Sequence, residues 1–549
     1  MQVAGEKTQA LVLSQWARDA TDCSLRVAGK IVSAGDHLKL LGVTIDRLLH
    51  FGPHCRNLRQ RVRPRTAQLR RLTGRDWGLE ERQLRTIANG YVRGAIEHAA
   101  AAWLPATSPA HATLLEREMR AAARVITGCP ISTPSHAVMA EAGLAPVAER
   151  RLVLAARLLA KAHALPEGDP LRAVASSDPP TRLSTTGWRQ VGGEVLAAIG
   201  VAPPVEPMLP PREPPWVLTG PVYFHLDVGA ALPPAASAQQ RLTTATLHLA
   251  SLPQCATWCW TDGSASGGIT DGGAGAFIER PDGEVTKLRI AAGRLCSSYR
   301  AEMIALQAAA DYLTDNPAHE EDPIIFCTDS MAALARLREG PTAQTTPLGI
   351  QIWRALCSLA SSGRAIHLQW VPSHCGIPGN ERADTLAGEA SALDQNSATP
   401  STTTIQRAAA RLARARTIAA WPDGWYRQLQ GPRLPPPIPG GDRSSAVDVH
   451  QLRAGHWSRS SQYLHRIGKK PTNDCAGCEN KRCPAARCEL CREEADTPAH
   501  VLMRCPALMN SRFRVFGSIH PTHEDLRSND EVATLGAAFV SLQSRLATP

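Results

Sequence analysis

Trp258-Cys-Trp-Thr-Asp262-Gly-Ser264, Ser298-Tyr-Arg-Ala-Glu302, Ile324-Ile-Phe-Cys-Thr-Asp329-Ser330 and Pro372-Ser-His374-Cys-Gly-Ile-Pro-Gly-Asn-Glu-Arg-Ala-Asp384 are the four blocks whose reading decides the fold. Each carries one acid of interest. Asp262 and Asp329 are expected to close β-rich apolar runs, and each follows a threonine, Thr261 or Thr328. Glu302 falls in the first turns of a predicted helix and Asp384 on another. Neighbouring strand ends would set two carboxylates side by side at one sheet edge. Crowded carboxylates repel until a cation neutralises them or their pKa rises. A set of oxygen ligands without Cys or His favours Mg²⁺ or Mn²⁺. Two such ions about 3.5–4 Å apart activate a water and stabilise the leaving oxygen in phosphodiester hydrolysis. His374 lies in a loop bounded by Pro and Gly, where it is expected to move a proton during product release. Taken singly, an Asp before Gly or Ser is a turn former or helix cap. Glu302 and Asp384 alone would be solvated helix residues, and His374 alone a surface histidine. The order of all five carries the reading.

These blocks resemble ribonuclease H type 1. The resemblance implies an α/β domain with a five-stranded mixed sheet and flanking helices over residues 256–392. It implies a catalytic quartet of Asp262, Glu302, Asp329 and Asp384 holding two Mg²⁺ (or Mn²⁺) ions, with His374 as the loop histidine. It also implies cleavage of the RNA strand of an RNA–DNA hybrid. It covers about a quarter of the chain. Asp271, in a Gly-rich turn, has no counterpart and reads as a hairpin residue.

A chain of 549 residues exceeds one core, so three or four modules are expected. Its net charge of +10 suits a polyanionic partner, a nucleic acid. No secretory signal is apparent in Met1-Gln-Val-Ala-Gly-Glu-Lys7. Leu152–Leu165, the most apolar helical stretch, is interrupted by Arg157 and Lys161 and does not suit a bilayer. An intracellular, nuclear setting without membrane attachment is expected. The 15 cysteines then read as thiols or metal ligands. Oligomeric state is not legible.

From the N-terminus, Lys7–Leu13 and Leu40–Asp46 read as strands, and Pro53–Lys161 as three or four helices. The first helix is crowded with arginine, and Pro64 is expected to kink or divide it. A later one carries Leu114, Leu115, Met119, Ala122, Val125 and Ile126 at core spacing. This order resembles the end of a non-LTR (LINE-type) retrotransposon reverse transcriptase, where a helical thumb follows the polymerase site. The resemblance assigns residues 1–165 to that remnant and thumb. No Asp-Asp polymerase motif precedes Lys7, so a 5′-truncated polyprotein without DNA synthesis is expected.

Residues 166–255 read as a Pro-rich linker, with Pro203-Pro204, Pro210-Pro211 and Pro214-Pro215. Residues 393–445 read as a basic helix, Ile405–Thr417, and a second Pro-rich linker. Arg56, Arg59, Arg63, Arg70 and Arg71 on the first helix are candidate phosphate contacts, as are Arg407, Arg411 and Arg414 on the later one. A solvated face is the equal alternative for the later helix. Residues 446–549 hold Cys488-x2-Cys491-x8-His500-x4-Cys505, a spacing that can surround one structural, tetrahedral Zn²⁺. This segment resembles the zinc-knuckle-like C-terminal module of the same retrotransposon class. Cys475, Cys478 and Cys483 read as thiols or part of a second site. A competing scheme joins Cys475, Cys478, Cys488 and Cys491. The whole reads as a hybrid-cleaving enzyme, with a catalytically inactive nucleic-acid-binding remnant as the alternative.

Overall fold

A computed structural model describes residues 5–547 except 15, 17, 20–21, 179–186, 210–218, 230–231, 234–235, 318–321, 362, 396–397, 439–441 and 470–486. The chain forms two compact units. One comprises residues 1–155, 181–191 and 410–549, the other residues 156–180 and 192–409. Residues 1–155 of the expected N-terminal module and the whole of 446–549 therefore fall in one unit, and residues 156–165 in the other.

In the first unit, the expected strand over 40–46 is instead a hairpin of His37–Leu40 and Val43–Asp46, turned at Leu41 and Gly42 with positive φ. Helix α1 spans Gly52–Arg70 and buries His54, Cys55, Leu58, Val62 and Leu69 at three- to four-residue spacing. It continues through Pro64, which does not divide it. Pro64 and Gln60, whose carbonyl the proline leaves without its donor, both occupy positions exposed to solvent. The following helices are α2 (Glu81–Ile87), α3 (Pro109–Thr127), α4 (Ser135–Glu141) and α5 (Val147–Ala164), whose residues from 156 on belong to the second unit. Ser108 Oγ caps α3 by accepting from His111 N, and Gly128, at φ 65°, ends it. Leu115, Met119, Ala122 and Ile126 of α3 are buried as their spacing predicts.

The second unit holds a six-stranded sheet. Its strands are β1 (Val222–His225), β2 (Thr257–Ser266), β3 (Thr270–Glu279), β4 (Val285–Gly293), β5 (Ile324–Thr328) and β6 (Ile366–Trp370). They lie in the order β1-β6-β5-β2-β3-β4, parallel from β1 to β2 and antiparallel across β2-β3-β4. The mixed sheet is as expected, but β1 makes it six-stranded. The expected linker supplies that strand, together with helices Pro170–Ser176, Trp188–Ala198 and α6 (Ala238–Ala250). Its Pro210-Pro211 and Pro214-Pro215 lie outside the described residues.

Strand alternation divides the apolar residues between two faces. Cys259, Ile278 and Phe326 pack on one side, with α7 (Ser298–Asp315) and, after α8 (Met331–Arg338), α9 (Pro347–Ala360). Trp260, Phe277 and Ile325 pack on the other, with α6 and α10 (Pro378–Ser391). The glycines of Thr270-Asp-Gly-Gly-Ala-Gly275 let α10 lie on the sheet. A Cβ at Gly275 would stand 2.4 Å from the Ala383 carbonyl oxygen, and one at Gly273 2.1 Å from that of Ala387.

Back in the first unit, the expected basic helix is α11 (Thr402–Ala419), which begins in the second unit; α12 (Trp425–Gln430) and α13 (Arg443–Arg453) follow. His450 of α13 is buried between two carboxylates. Its Nδ1 lies 2.7 Å from Glu141 Oε2 and its Nε2 3.0 Å from Glu81 Oε2. The Tyr426 hydroxyl donates to Glu141 Oε1 at 3.1 Å. Burial alone would lower the His450 pKa, but the two carboxylates outweigh it and raise it. Burial pushes Glu81 up, yet the hydrogen bond and charge of His450 leave it lowered.

Removing one member of a buried charge cluster strands the others and costs about 3–5 kcal/mol. His450→Ala should lower the denaturation free energy of this unit by that amount, measured by urea titration. The pH sign follows from linkage. The raised histidine stabilises fully below its unfolded pKa of about 6.5 and loses that contribution as pH climbs through its folded value. The lowered Glu81 stabilises above about 4.3 and loses its contribution as pH falls. Wild type should therefore weaken on both sides of a plateau between about pH 4.3 and 6.5, and His450→Gln should lose the slope on its alkaline side.

Candidate active site

Strand register builds the acid cluster. Thr328 of β5 pairs with Thr261 of β2, so Asp329 and Asp262 follow on adjacent parallel strands. Asp329 does close its strand. Asp262 does not: β2 runs on to Ser266, because Gly263–Ala265 pair with Gly272–Ala274 of β3. Helix α7, capped by Ser297, brings Glu302 over β2. The approach is close enough that a Cβ at Gly263 would lie 2.1 Å from the Glu302 amide nitrogen. Glycine after Asp262 is thus a packing requirement.

Oxygens of Asp262, Glu302 and Asp329 lie within 4.8 Å of one another. Asp262 and Glu302 are buried and Asp329 half-buried. Gly263 N donates to Asp262 Oδ1 at 2.6 Å, and the Thr328 hydroxyl to Glu302 Oε2 at 3.4 Å. Among the described residues, no Lys or Arg forms an ion pair with the three acids. Burial, then the charges of Asp329 and Asp384, push Asp262 up to about 7. Burial, then Asp262 and Asp329, hold Glu302 well above the usual carboxylate range. Asp329 is raised by burial, with His374 opposing and Asp384 adding.

Asp384, on α10, stands in a second group with His374 and Glu381, whose ligand atoms also lie within 4.8 Å of each other. His374 is exposed, at φ 48°, with Nδ1 4.0 Å from Asp384 Oδ2. Glu381 was not singled out from the sequence, although it precedes Asp384 by three residues on one helix face. Its Oε1 accepts from Gly376 N at 3.1 Å and so holds the loop of His374. Asp271, at φ 48°, lies not in the turn but in β3, where the β2–β3 register shifts between Thr270 and Gly272, and its amide donates to the Arg294 carbonyl.

The trio suits a hard divalent cation: buried carboxylate oxygens converge with no protein cation to neutralise them. Without a cation, the folded state holds protons that the unfolded chain releases above about pH 4. Stability of the ion-free protein should therefore fall as pH rises from about 4 through the Asp262 value near 7. Mg²⁺ should raise the melting temperature more at pH 8 than at pH 6, which differential scanning fluorimetry measures. An equal effect at both would count against cation binding at these acids.

The sulfur and nitrogen cluster also assembles. Cys488, Cys491, His500 and Cys505 offer ligand atoms within 4.8 Å of one another. The Cys488 and Cys505 sulfurs are 3.8 Å apart, and Cys491 Sγ is 3.3 Å from His500 Nε2. A tetrahedron with metal–sulfur bonds of about 2.3 Å has sulfur–sulfur edges of about 3.8 Å, so the set fits zinc. Glu494 Oε2 stands 3.5 Å behind His500 Nδ1, where carboxylates orient metal-binding imidazoles. Cys475, Cys478 and Cys483 lie outside the described residues.

The basic candidates are scattered. Arg56, Arg63, Arg70 and Arg71 are exposed on or beside α1, whereas Arg59 is held by Glu118 at 3.1 Å. Arg407, Arg411 and Arg414 are exposed on α11. Among the described residues no helix is long and apolar enough to cross a membrane.

Sheet, helices and acid trio together define a ribonuclease H-like α/β domain. Residues 254–392 match the family described as RNase H. Over 138 residues the chain is 32% identical to ribonuclease H of Pectobacterium carotovorum subsp. carotovorum, covering 23% of this chain and 84% of that enzyme. Through this domain the chain belongs to the ribonuclease H family. It is also 32% identical over 129 residues to the retrovirus-related Pol polyprotein from type-1 retrotransposable element R1 4 of Nasonia vitripennis. That match covers 23% of this chain and 32% of the polyprotein, so the chain spans about a third of that relative. Ribonuclease H1 of Halobacterium salinarum, a solved structure, is 26% identical, with 24% of this chain and 96% of that chain covered and a TM-score of 0.20.

Proposed function

We propose that the protein hydrolyses the RNA strand of RNA–DNA hybrids as part of a non-LTR retrotransposon polyprotein acting in the nucleus. The observation that carries the activity is the convergence of buried Asp262 and Glu302 with half-buried Asp329, and Asp384 and His374 beside them. The R1 polyprotein relative supports the retrotransposon setting.

Asp262, Glu302, Asp329 and Asp384 would hold divalent ions, Mg²⁺ or Mn²⁺, which when bound supply an activated water and charge stabilisation at the leaving oxygen. Gly263 N and the Thr328 hydroxyl fix the carboxylates of Asp262 and Glu302 before substrate arrives. His374, exposed beside Asp384, is placed to deliver a proton to the departing 3′-oxygen. Glu381 positions that histidine through the Gly376 amide. The 2′-hydroxyls displayed in the wide minor groove would distinguish the RNA strand. Cys488, Cys491, His500 and Cys505 would hold a structural Zn²⁺, and the exposed arginines of α1 and α11 would meet phosphates. Cleavage of a labelled RNA–DNA hybrid in Mg²⁺, beside RNA–RNA and DNA–DNA duplexes, tests the reading. A folded protein that cleaves none of them would favour the inactive binding remnant.

A further inference from the structure

The first unit contains a groove of about 830 Å³ between α3, the α4–α5 junction and α11. Its lining includes Arg93, Arg120, Arg150, Arg151, Arg414 and Arg416. Glutamate offsets only part of that charge. Glu97 takes both hydrogen bonds of Arg150, at 2.7 and 2.9 Å, and lies 3.7 Å from Arg93. Glu116 lies 3.8 Å from Arg120, and Glu149 faces Arg414. Arginine thus outnumbers glutamate around the groove. Arg414 and Arg416 stand exposed at the rim, and no ion pair to Arg416 occurs among the described residues.

The floor is different in character. Met139, Leu144, Ile418 and Leu434 line it, and the half-buried His136 ring lies 6.1 Å from that of Trp421 at one end. A cationic rim over an apolar floor matches a polymer with charged backbone and flat, weakly polar side groups. Pockets of about 300–1,000 Å³ take drug-sized ligands, a scale that admits one or two nucleotides and excludes a double helix. We propose that this groove binds an unpaired nucleic-acid strand, with phosphates on Arg414, Arg416 and Arg120 and bases against the partly exposed Ile418 and Leu434. The choice of nucleic acid among polyanions rests on the ribonuclease H reading; the charge and shape do not.

The test is fluorescence anisotropy of a labelled oligothymidylate, a DNA strand the proposed active site does not cut, on the full chain across a salt series. Arg414→Glu/Arg416→Glu should weaken binding by about tenfold or more. It should also lower the salt slope by about 1.4, since each phosphate contact on a single strand contributes about 0.7. Ala148→Trp, which fills the groove without altering charge, should weaken binding as well. The charge-matched control Arg117→Glu/Arg514→Glu alters two exposed arginines outside the groove and should change affinity less than about threefold. An equal loss in the control, or no loss in either groove variant, overturns the proposal. So does equal competition by polyglutamate at matched charge, which would indicate an acidic peptide, or a loss confined to duplex hybrid. Hybrid cleavage is assayed separately, so an inactive catalytic unit that still binds oligothymidylate in the groove would refute the ribonuclease reading alone.

Discussion

Glu302→Gln should abolish hybrid cleavage, by at least about 10²–10³-fold, while leaving fold and hybrid binding intact. That is the scale on which deleting one preorganised electrostatic group from an active site acts. Glutamine keeps the length of the side chain and one acceptor oxygen, so the Thr328 hydroxyl retains a partner. What it removes is the charge needed to hold a divalent ion against its hydration shell. Glu302 is also buried, and burial with two neighbouring carboxylates raises its pKa. Neutralising it relieves that repulsion, so the ion-free variant should be at least as stable as wild type. Loss of activity with unchanged or higher melting temperature separates a catalytic role from a structural one. Asp262 and Asp329 substitutions should be as severe, Asp384 severe, and His374→Ala partial, because an exposed loop histidine assists turnover without building the cluster. Wild-type cleavage by Glu302→Gln would remove these acids from the mechanism.

The acids were legible because their chemistry is local to short blocks. Ile324–Thr328 is an uninterrupted apolar run and forms a fully buried parallel strand, which fixes Asp329 at its end. Asp262 was misplaced by a few residues. Gly263-Ser-Ala-Ser reads as a turn in polarity, yet it continues as β2 because Gly272–Ala274 lie opposite. Strand β1 was missed because four residues among Pro-rich segments carry little pattern; its formation depends on pairing with Ile366–Gln369. The Glu81–His450–Glu141 cluster had no sequence signal. His450 lies 309 and 369 positions from the two glutamates, and only the packing of α13 makes three ordinary polar residues into one buried network. Glu381 was within reach, since its spacing from Asp384 on one helix face was visible.

Removal of zinc should unfold the region around residues 487–547 and leave the acid cluster's unit folded. Structural zinc sites contribute about 10–16 kcal/mol of apparent binding energy. That exceeds what a small core supplies alone. The ligands here are core residues: Cys488 and Cys505 are fully buried, packed in one cluster with Leu452, Trp457, Val501, Leu502 and Phe539. Unmetallated, two thiols 3.8 Å apart and a buried imidazole would have to share protons inside an apolar cluster. Metal binding exchanges those protons for one cation, so the preference for zinc should steepen with pH. The full chain is the right sample, because Trp425 donates to the Leu452 carbonyl and α13 reaches Glu81 and Glu141. Purified protein should contain one zinc per chain. A strong chelator should expose Trp457, seen as a red shift in tryptophan emission, and Cys505→Ser should do the same without chelator. Protein that holds no zinc, and whose emission and circular dichroism ignore both treatments, would show that the four residues form an ordinary reduced core.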